Sequence, residues 1–137
     1  MKIKSLISFL LLFLIAFSCV SCSDEANPWD DAIYTENTTL GEGKTSFTLE
    51  VCVGESKVVF SLSTNETMLD KALLNLGIIE GKDDKYGLYI EKVNGILADY
   101  NIDQTYWALY INGEYAMTGI SSTEITKGAT YKLSREK

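Results

Sequence analysis

Apolar and polar side chains alternate along residues 46–63, which is the pattern of two half-buried β-strands. The apolar positions are Phe47, Leu49, Val51, Val53, Val58, Phe60 and Leu62. Side chains two residues apart point to the same face of a strand. Gly54-Glu55 separates the two runs as a turn. The segment Lys44 to Ser63 therefore predicts a β-hairpin whose aliphatic side chains share one buried face.

The spacing of apolar residues changes to a helical period after residue 66. One stripe is formed by Met68, Leu69, Ala72, Leu73 and Leu76. Thr67 and Asp70 have the spacing of a capping box, in which the side chains satisfy the first free N–H groups of a helix. Gly77 is placed to end the helix in a left-handed conformation. We predict one amphipathic helix that begins at Thr67 and covers the sheet.

Strand character returns after a segment, residues 81–84, that its glycine and aspartates mark as a loop. The predicted strands are Tyr86–Val93, Tyr106–Ile111, Glu114–Met117 and Ala129–Leu133. Asn94-Gly95 and Asn112-Gly113 are the strongest short signals for hairpin turns. A hairpin, one helix and several further strands predict an α+β fold, with a mixed β-sheet of hairpins crossed by one α-helix.

The first 22 residues have the layout of a secretory signal. Lys2 and Lys4 precede an almost unbroken apolar run, residues 6–17, and small residues follow at 18–22. The run is shorter than the roughly 20 apolar residues that a membrane-spanning helix needs. The segment therefore predicts export rather than a permanent transmembrane helix.

The end of this signal resembles a bacterial lipobox, in which a cysteine after a small residue becomes the acylated first residue of the mature chain. Cys22 fits better than the alternative Cys19, because Val20 and Ser21 suit the two preceding positions. The resemblance implies a lipoprotein that is anchored on the extracytoplasmic face of a bacterial cell envelope; a plain secreted protein is the other interpretation. With Cys22 acylated, Cys52 is the one remaining thiol, whereas a Cys19 anchor would leave Cys22 able to pair with it.

The chain divides into a signal peptide at 1–21, an acidic segment at 22–43 and a domain at 44–137. The acidic segment holds the only proline and has no sustained period, so it is interpreted as a flexible tether. Trp29, Ile33 and Tyr34 within it are candidates to pack back onto the domain. The 44–137 stretch is the right length for one small domain.

Charge and composition exclude several classes of function for this chain. The chain has 12 basic and 19 acidic residues, and loss of Lys2 and Lys4 with the signal leaves 10 − 19 = −9. Nucleic acid is not an expected partner, because phosphate binding uses clustered Lys and Arg. No histidine is present, so Ser-His and Cys-His couples are excluded and no enzyme is predicted. Asp30-Asp31 and Asp83-Asp84 lack EF-hand spacing, and neither a metal site nor a cofactor is predicted.

Four motifs in fixed order, from about Lys44 to the end, resemble the transcobalamin-like carboxy-terminal domain family. They are Thr67–Leu73, Val93-Asn94-Gly95, Tyr106–Gly113 and Lys127-Gly128. The resemblance implies a β-grasp-like fold, a ubiquitin-like roll. In the vitamin carriers of that family, this small domain closes over a corrinoid that a helical domain mostly holds. Residues 1–137 contain no counterpart of that helical domain, and without histidine the cobalt ligand of those carriers is impossible.

Aromatic residues around the second Asn-Gly turn are the candidate contacts for a ligand. They are Trp107, Tyr110, Asn112 and Tyr115, with Tyr86, Tyr89 and Tyr106 as neighbours. Trp107 is also interpretable as a core residue that faces the helix. We predict a small non-enzymatic ligand-binding domain that captures a small molecule for uptake, a corrinoid being one candidate. The alternative is a surface interaction or adhesion module that binds another envelope protein.

Overall fold

The computed structural model describes residues 26–137, so the predicted signal and both candidate lipidation cysteines lie outside the described residues. The elements in chain order are β1 (Thr38–Leu40), β2 (Thr45–Val53), β3 (Ser56–Thr64), α1 (Leu69–Asn75), β4 (Ile79–Asp84), β5 (Gly87–Val93), β6 (Ile96–Leu97), α2 (Tyr100–Asp103), β7 (Tyr106–Ile111), β8 (Glu114–Tyr115) and β9 (Thr130–Glu136). Single 3₁₀ turns lie at Pro28–Asp31 and Ile120–Ser122. None of the helices between residues 26 and 137 is long and apolar enough to cross a membrane.

The strands form two sheets. The larger sheet has the order β1-β3-β2-β9-β7-β8, and the smaller has the order β4-β5-β6. In the larger sheet β2 pairs antiparallel with β3 and parallel with β9, while β7 pairs antiparallel with β9. The smaller sheet is antiparallel throughout. The predicted mixed α+β class is confirmed.

The core lies between one face of the larger sheet and the elements that cover it. The predicted alternation is confirmed, since Phe47, Leu49 and Val51 of β2 are at most 4% exposed. The same cluster contains Val58, Phe60, Leu62, Leu69, Ala72, Leu73, Ile79, Val93, Ile96, Tyr131 and Leu133. The small sheet and α1 therefore together exclude water from the apolar face of the larger sheet.

The predicted cap of α1 is wrong, although its end is as expected. Met68 is the N-cap residue and no side chain caps the helix. The first free N–H, on Leu69, instead donates to the carbonyl of Thr123, so a tertiary contact replaces the local one. At the other end Gly77 has φ +70°, and its N–H donates to the Leu74 carbonyl, as in a glycine-terminated helix.

The segment at residues 81–84 is strand β4 and not the predicted loop. It pairs with β5, with a bulge between Glu80 and Gly81. A Cβ at Gly81 would lie 2.1 Å from the Tyr89 carbonyl oxygen, so the glycine permits a close approach of two strands. Its charged neighbours face solvent along an edge of the small sheet, where charge protects against unwanted pairing.

The structure corrects the predicted tether, because its described part packs on the domain. β1 adds a parallel strand to β3. The Tyr34 ring packs edge-on to Phe60 with centroids 5.5 Å apart, and the indole nitrogen of Trp29 donates to the Val53 carbonyl at 3.4 Å. Ile33, in contrast, is 57% exposed. The folded unit therefore begins near residue 27 and not at Lys44.

Asn94 fastens this segment to the small sheet. It is fully buried at φ +52° in its Asn-Gly turn. Its carboxamide accepts a hydrogen bond from the Tyr34 N–H at 2.9 Å and donates one to the Tyr34 carbonyl at 2.8 Å. Asn112 occupies the equivalent turn position, also with positive φ, but is exposed and accepts one bond from the Thr130 N–H.

We expect Asn94→Ala to lower the free energy of unfolding by about 2–3 kcal/mol, because it leaves two part-buried backbone groups of Tyr34 without partners. Chemical denaturation of residues 26–137 measures this. Asn112→Ala is the matched control, since it carries the same positive-φ strain but loses one exposed hydrogen bond. Equal losses of unfolding free energy in the two variants would contradict the conclusion that Asn94 holds the Tyr34 segment against the small sheet.

Candidate functional site

A cleft of about 380 Å³ opens where the small sheet meets the edge of the large one. We call it the β5–β7 cleft. It is lined by Leu88, Tyr89 and Ile90 of β5, Tyr106, Trp107, Ala108 and Leu109 of β7, and the segment Tyr115–Ile120. Its volume falls in the range of about 300–1,000 Å³ that is usual for small-molecule sites. Apolar and aromatic side chains make up most of the wall.

Trp107 supplies the one polar side-chain atom in the described residues that is buried without a partner. The residue is 8% exposed, and its indole Nε1 has no acceptor within hydrogen-bonding distance. A buried N–H without a partner costs about 1–3 kcal/mol. Trp29 is a contrast, because its Nε1 donates to a carbonyl. Trp107 therefore lines the cleft and also holds a buried hydrogen-bond donor that no described protein group satisfies.

The first half of β7 is also an unpaired strand edge within the described residues. β8 pairs only with Tyr110 and Ile111, and one further bond joins the Ala116 N–H to the Leu109 carbonyl. The chain then leaves the sheet, so no strand lies beside Tyr106–Ala108 on that side. Alternation in an antiparallel ladder directs the main-chain groups of Trp107 to the same side as those of Leu109. The cleft thus adjoins free backbone donors and acceptors.

Ser121 holds the far wall of the cleft in place. Its hydroxyl donates to the buried carboxylate of Asp70 at 2.9 Å and accepts from the Leu88 N–H at 2.9 Å. A Cβ at Gly87 would lie 2.8 Å from the Ser121 Cβ, and Gly87 has φ +107°. These contacts join α1, the Ile120–Ser122 turn and β5. The wall that faces Trp107 is therefore fixed by hydrogen bonds and close packing.

The structure divides the predicted contact residues between two places. Trp107 and Tyr115 line the β5–β7 cleft, as do the predicted neighbours Tyr89 and Tyr106. Tyr110 and Asn112 do not line it. The sequence offered Trp107 either as a ligand contact or as a core residue. In the structure it belongs to the core and also lines the cleft.

Tyr110 belongs to a small network on the open face of the large sheet. Its hydroxyl donates to the Glu136 carboxylate at 2.7 Å, and its ring packs edge-on to Tyr115. The Lys132 ammonium lies 4.2 Å from the centre of the same ring. The hydrogen bond to Glu136, followed by desolvation and the negative charge of Glu136, raises the pKa of Tyr110 to about 12. Because its ring packs against Tyr115, which lines the cleft, Tyr110 helps to hold Tyr115 in place.

Sequence reasoning missed the wall that β5 and the following segments provide. Leu88 and Ile90 are half-buried, and Met117 is 93% exposed at the mouth. The alternation of Leu88 with Ile90 was a usable signal, since both point to one face of β5. No local pattern shows that this face meets β7, because the two segments are joined only by the packing of the two sheets.

The described residues offer few other groups that could bind a metal ion or act as a nucleophile. No group of three or more Cys, Asp or Glu side chains between residues 26 and 137 is arranged to hold a metal ion. Cys52 is half-buried, and desolvation raises the pKa of its thiol, with Glu50 as a second cause. A thiol with a raised pKa is a weaker nucleophile at neutral pH.

Comparison with known proteins gives one family match and similar solved structures. Residues 65–131 match the family described as a domain of unknown function (DUF4430). A Ruminococcus gnavus ATCC 29149 protein described as a candidate metal-binding protein is 25% identical with a TM-score of 0.65, over 69% of this chain and 98% of its own. No curated protein sequence matches significantly.

Haptocorrin in complex with Cbi is also similar, at 22% identity and a TM-score of 0.52. The match covers 72% of this chain but 26% of haptocorrin, so it shows a shared fold for about a quarter of that protein. The sequence resemblance to transcobalamin-like domains is supported at this level. The lipoprotein context stays a prediction.

We expect Glu136→Gln to lower the pKa of Tyr110 from about 12 toward its ordinary value near 10, because a neutral amide removes the carboxylate that disfavours the phenolate. Ultraviolet absorbance at alkaline pH measures tyrosine ionisation, and Tyr110→Phe identifies the signal. The sign follows from the raised pKa: the stabilising contribution is complete below the unfolded pKa and is lost as pH rises through about 12. An unchanged titration in Glu136→Gln would refute the assignment.

Proposed function

We propose that this chain is a cell-envelope lipoprotein whose β-grasp-like domain binds a small molecule in the β5–β7 cleft and catalyses no reaction. The β-grasp-like assignment is supported by the order of elements. Hairpin β2–β3 is followed by α1, then by β7 and β8, and β9 returns between β2 and β7 as a parallel partner of β2. The transcobalamin-like resemblance points in the same direction.

The observation that carries the proposal is the buried, unpartnered indole N–H of Trp107, a residue that lines a concave, mostly apolar cleft. Ligand sites typically combine apolar walls with a few placed polar groups that fix orientation. An acceptor atom of a ligand at Nε1 would remove the cost of the buried donor. The binding free energy would thus include a hydrogen bond to a donor that no protein group satisfies.

The wall chemistry defines the class of ligand. Tyr89, Trp107 and Tyr115 offer ring faces and edges for an apolar or planar body, and Nε1 selects for a carbonyl, carboxylate or amide oxygen. A cleft of about 380 Å³ accommodates a small molecule or the edge of a larger one. A corrinoid would enter by its rim, where side-chain amides present such oxygens.

The absence of catalysis is proposed on chemical grounds. The sequence contains no histidine, which removes the commonest general base and the activating partner of serine or cysteine nucleophiles. Two carboxylates that bond to residues beside the cleft are used structurally: Asp70 accepts from Ser121, and Glu136 accepts from Tyr110. The metal-binding description of the Ruminococcus gnavus protein is not carried over, because no group of three or more Cys, Asp or Glu side chains in residues 26–137 is arranged to hold a metal ion.

A second candidate is an interaction module that accepts an extended peptide along the free edge of β7. The unpaired main chain beside Tyr106–Ala108 favours it, since peptides add to open strand edges by backbone hydrogen bonds. The two candidates differ in what they require from Trp107. A small ligand uses the indole N–H, whereas strand addition uses the main chain and tolerates loss of the indole.

We expect a small ligand to bind wild-type residues 26–137 more tightly than Trp107→Phe by about 2-fold to 13-fold, which corresponds to one hydrogen bond of about 0.5–1.5 kcal/mol. Calorimetric titration with cobalamin, cobinamide and small aromatic amides measures this. Trp29→Phe is the matched control, because its indole bonds to Val53 away from the cleft. It also leaves Trp107 as the only tryptophan, so its fluorescence reports occupancy.

Binding of any of these compounds that is unaffected by Trp107→Phe would reject the cleft as their site. Heat from no compound would reject the corrinoid class and favour the interaction module. Tyr110→Phe, which keeps the ring outside the cleft, is expected to bind like wild type.

A further inference from the structure

Met117 is the most exposed of the large apolar residues between positions 26 and 137, although it lines the β5–β7 cleft. It is 93% exposed, against 56% for Tyr115 and 45% for Tyr89, which line the same cleft. Covering apolar surface that lies in water is favourable. The mouth of the cleft therefore carries an apolar side chain that a ligand could cover and that the described protein leaves in solvent.

Residues 117–118, which we call the strap, are bonded to the domain only through their neighbours. On one side, the Ala116 N–H donates to the Leu109 carbonyl at 2.9 Å. On the other side, the Gly119 carbonyl accepts from the Ser122 N–H at 3.1 Å. The strap itself makes no main-chain hydrogen bond to any other described residue. Its two ends are therefore fixed beside the cleft while its side chains are free to turn.

Methionine is suited to close such a mouth. Its side chain is unbranched with three rotatable bonds, and the rotamers of exposed side chains interchange within nanoseconds. The thioether of Met117 can therefore turn from solvent onto a ligand without a change at the bonded ends of the strap. Methionine sulfur also makes favourable contacts with aromatic rings, so a planar ligand between Met117 and the tyrosines of the cleft would be packed on both sides.

The cleft offers no charged group to a ligand. None of the described residues that line it is Asp, Glu, Lys or Arg. Lys132 lies over the ring of Tyr110 and Lys85 over the ring of Tyr86, and neither tyrosine lines the cleft. An ionised group that entered would lose its water without gaining an opposite charge, which is costly. The cleft therefore favours a neutral ligand.

We propose that Met117 folds over a ligand at the mouth of the β5–β7 cleft, and that this closure selects a neutral ligand with a planar, apolar body over its ionised analogue. The inference deepens the proposed function and rests on the cleft being the ligand site. The indole N–H of Trp107 meets an oxygen of the ligand, and the Met117 thioether covers the face that would otherwise stay in water. Loss of that water raises the cost of a charge on the ligand.

Two compounds that differ in charge test the proposal, namely 2-naphthamide and, at neutral pH, 2-naphthoate. They share one planar body, and both offer an oxygen to the indole N–H. Residues 26–137, which contain the folded unit, carry ¹³C on the methionine methyl groups and ¹⁵N on the indoles. Met68 and Trp29 do not line the cleft and are the internal controls. Loss of one methyl signal in Met117→Ala assigns Met117.

We expect the amide to shift the Trp107 indole and Met117 methyl signals saturably. It should bind at least about 10-fold more tightly than the carboxylate, because a buried charge without a partner is costly. Met117→Ala should weaken amide binding by at least about 4-fold, which is the value of one covered methylene group, and should narrow the difference between the two compounds. Met117→Leu, which keeps the apolar volume, should recover most of the affinity.

Amide binding that moves the Trp107 signal but not the Met117 signal, or that Met117→Ala does not weaken, would overturn the closing role and leave the cleft intact. Equal affinities for amide and carboxylate would overturn the selection of a neutral ligand. If the amide moves neither signal while cobinamide moves that of Trp107, this ligand class is wrong and the proposed function stands. If no compound moves the Trp107 signal, the proposed function fails and this inference fails with it.

Discussion

The length of α1 constrains the rest of the architecture. Seven residues make a helix about 10 Å long, whereas six strands span about 24 Å across the sheet. One such helix cannot cover the apolar face that Phe47, Leu49 and Leu133 contribute. The three-stranded sheet packs over the remainder, with Ile79, Val93 and Ile96 in the same core. The β5–β7 cleft is the boundary that these two sheets leave at the edge of β7.

This boundary explains why Trp107 is buried but unsatisfied. β8 ends after two residues, so the large sheet stops short at the position where β5 approaches. The indole is buried without meeting an acceptor. The small sheet that covers the core therefore also forms a wall of the ligand cleft.

Local signals in the sequence predicted the local structure well. The β2–β3 alternation, the helix stop at Gly77 and the turn at Asn94 each depend on residues within a few positions, and all three are present. The Thr67 cap, the described part of the predicted tether (residues 26–43) and the loop at 81–84 failed for a shared reason. Leu69 finds its partner in Thr123, Tyr34 finds its partner in Asn94, and β4 forms only because β5 returns beside it. The cleft itself was invisible, since its two walls meet only through tertiary packing.

The central claim is that the Trp107 indole N–H is the ligand-facing donor of this domain. Nuclear magnetic resonance of the ¹⁵N-labelled indole groups tests it directly, because the chain has two tryptophans and Trp29 is an internal control. Titration with cobinamide and a set of small carboxylates and amides is expected to move the Trp107 signal saturably with at least one compound and to leave the Trp29 signal in place. A Trp107 signal that no compound moves, or equal shifts of both signals, would contradict the claim.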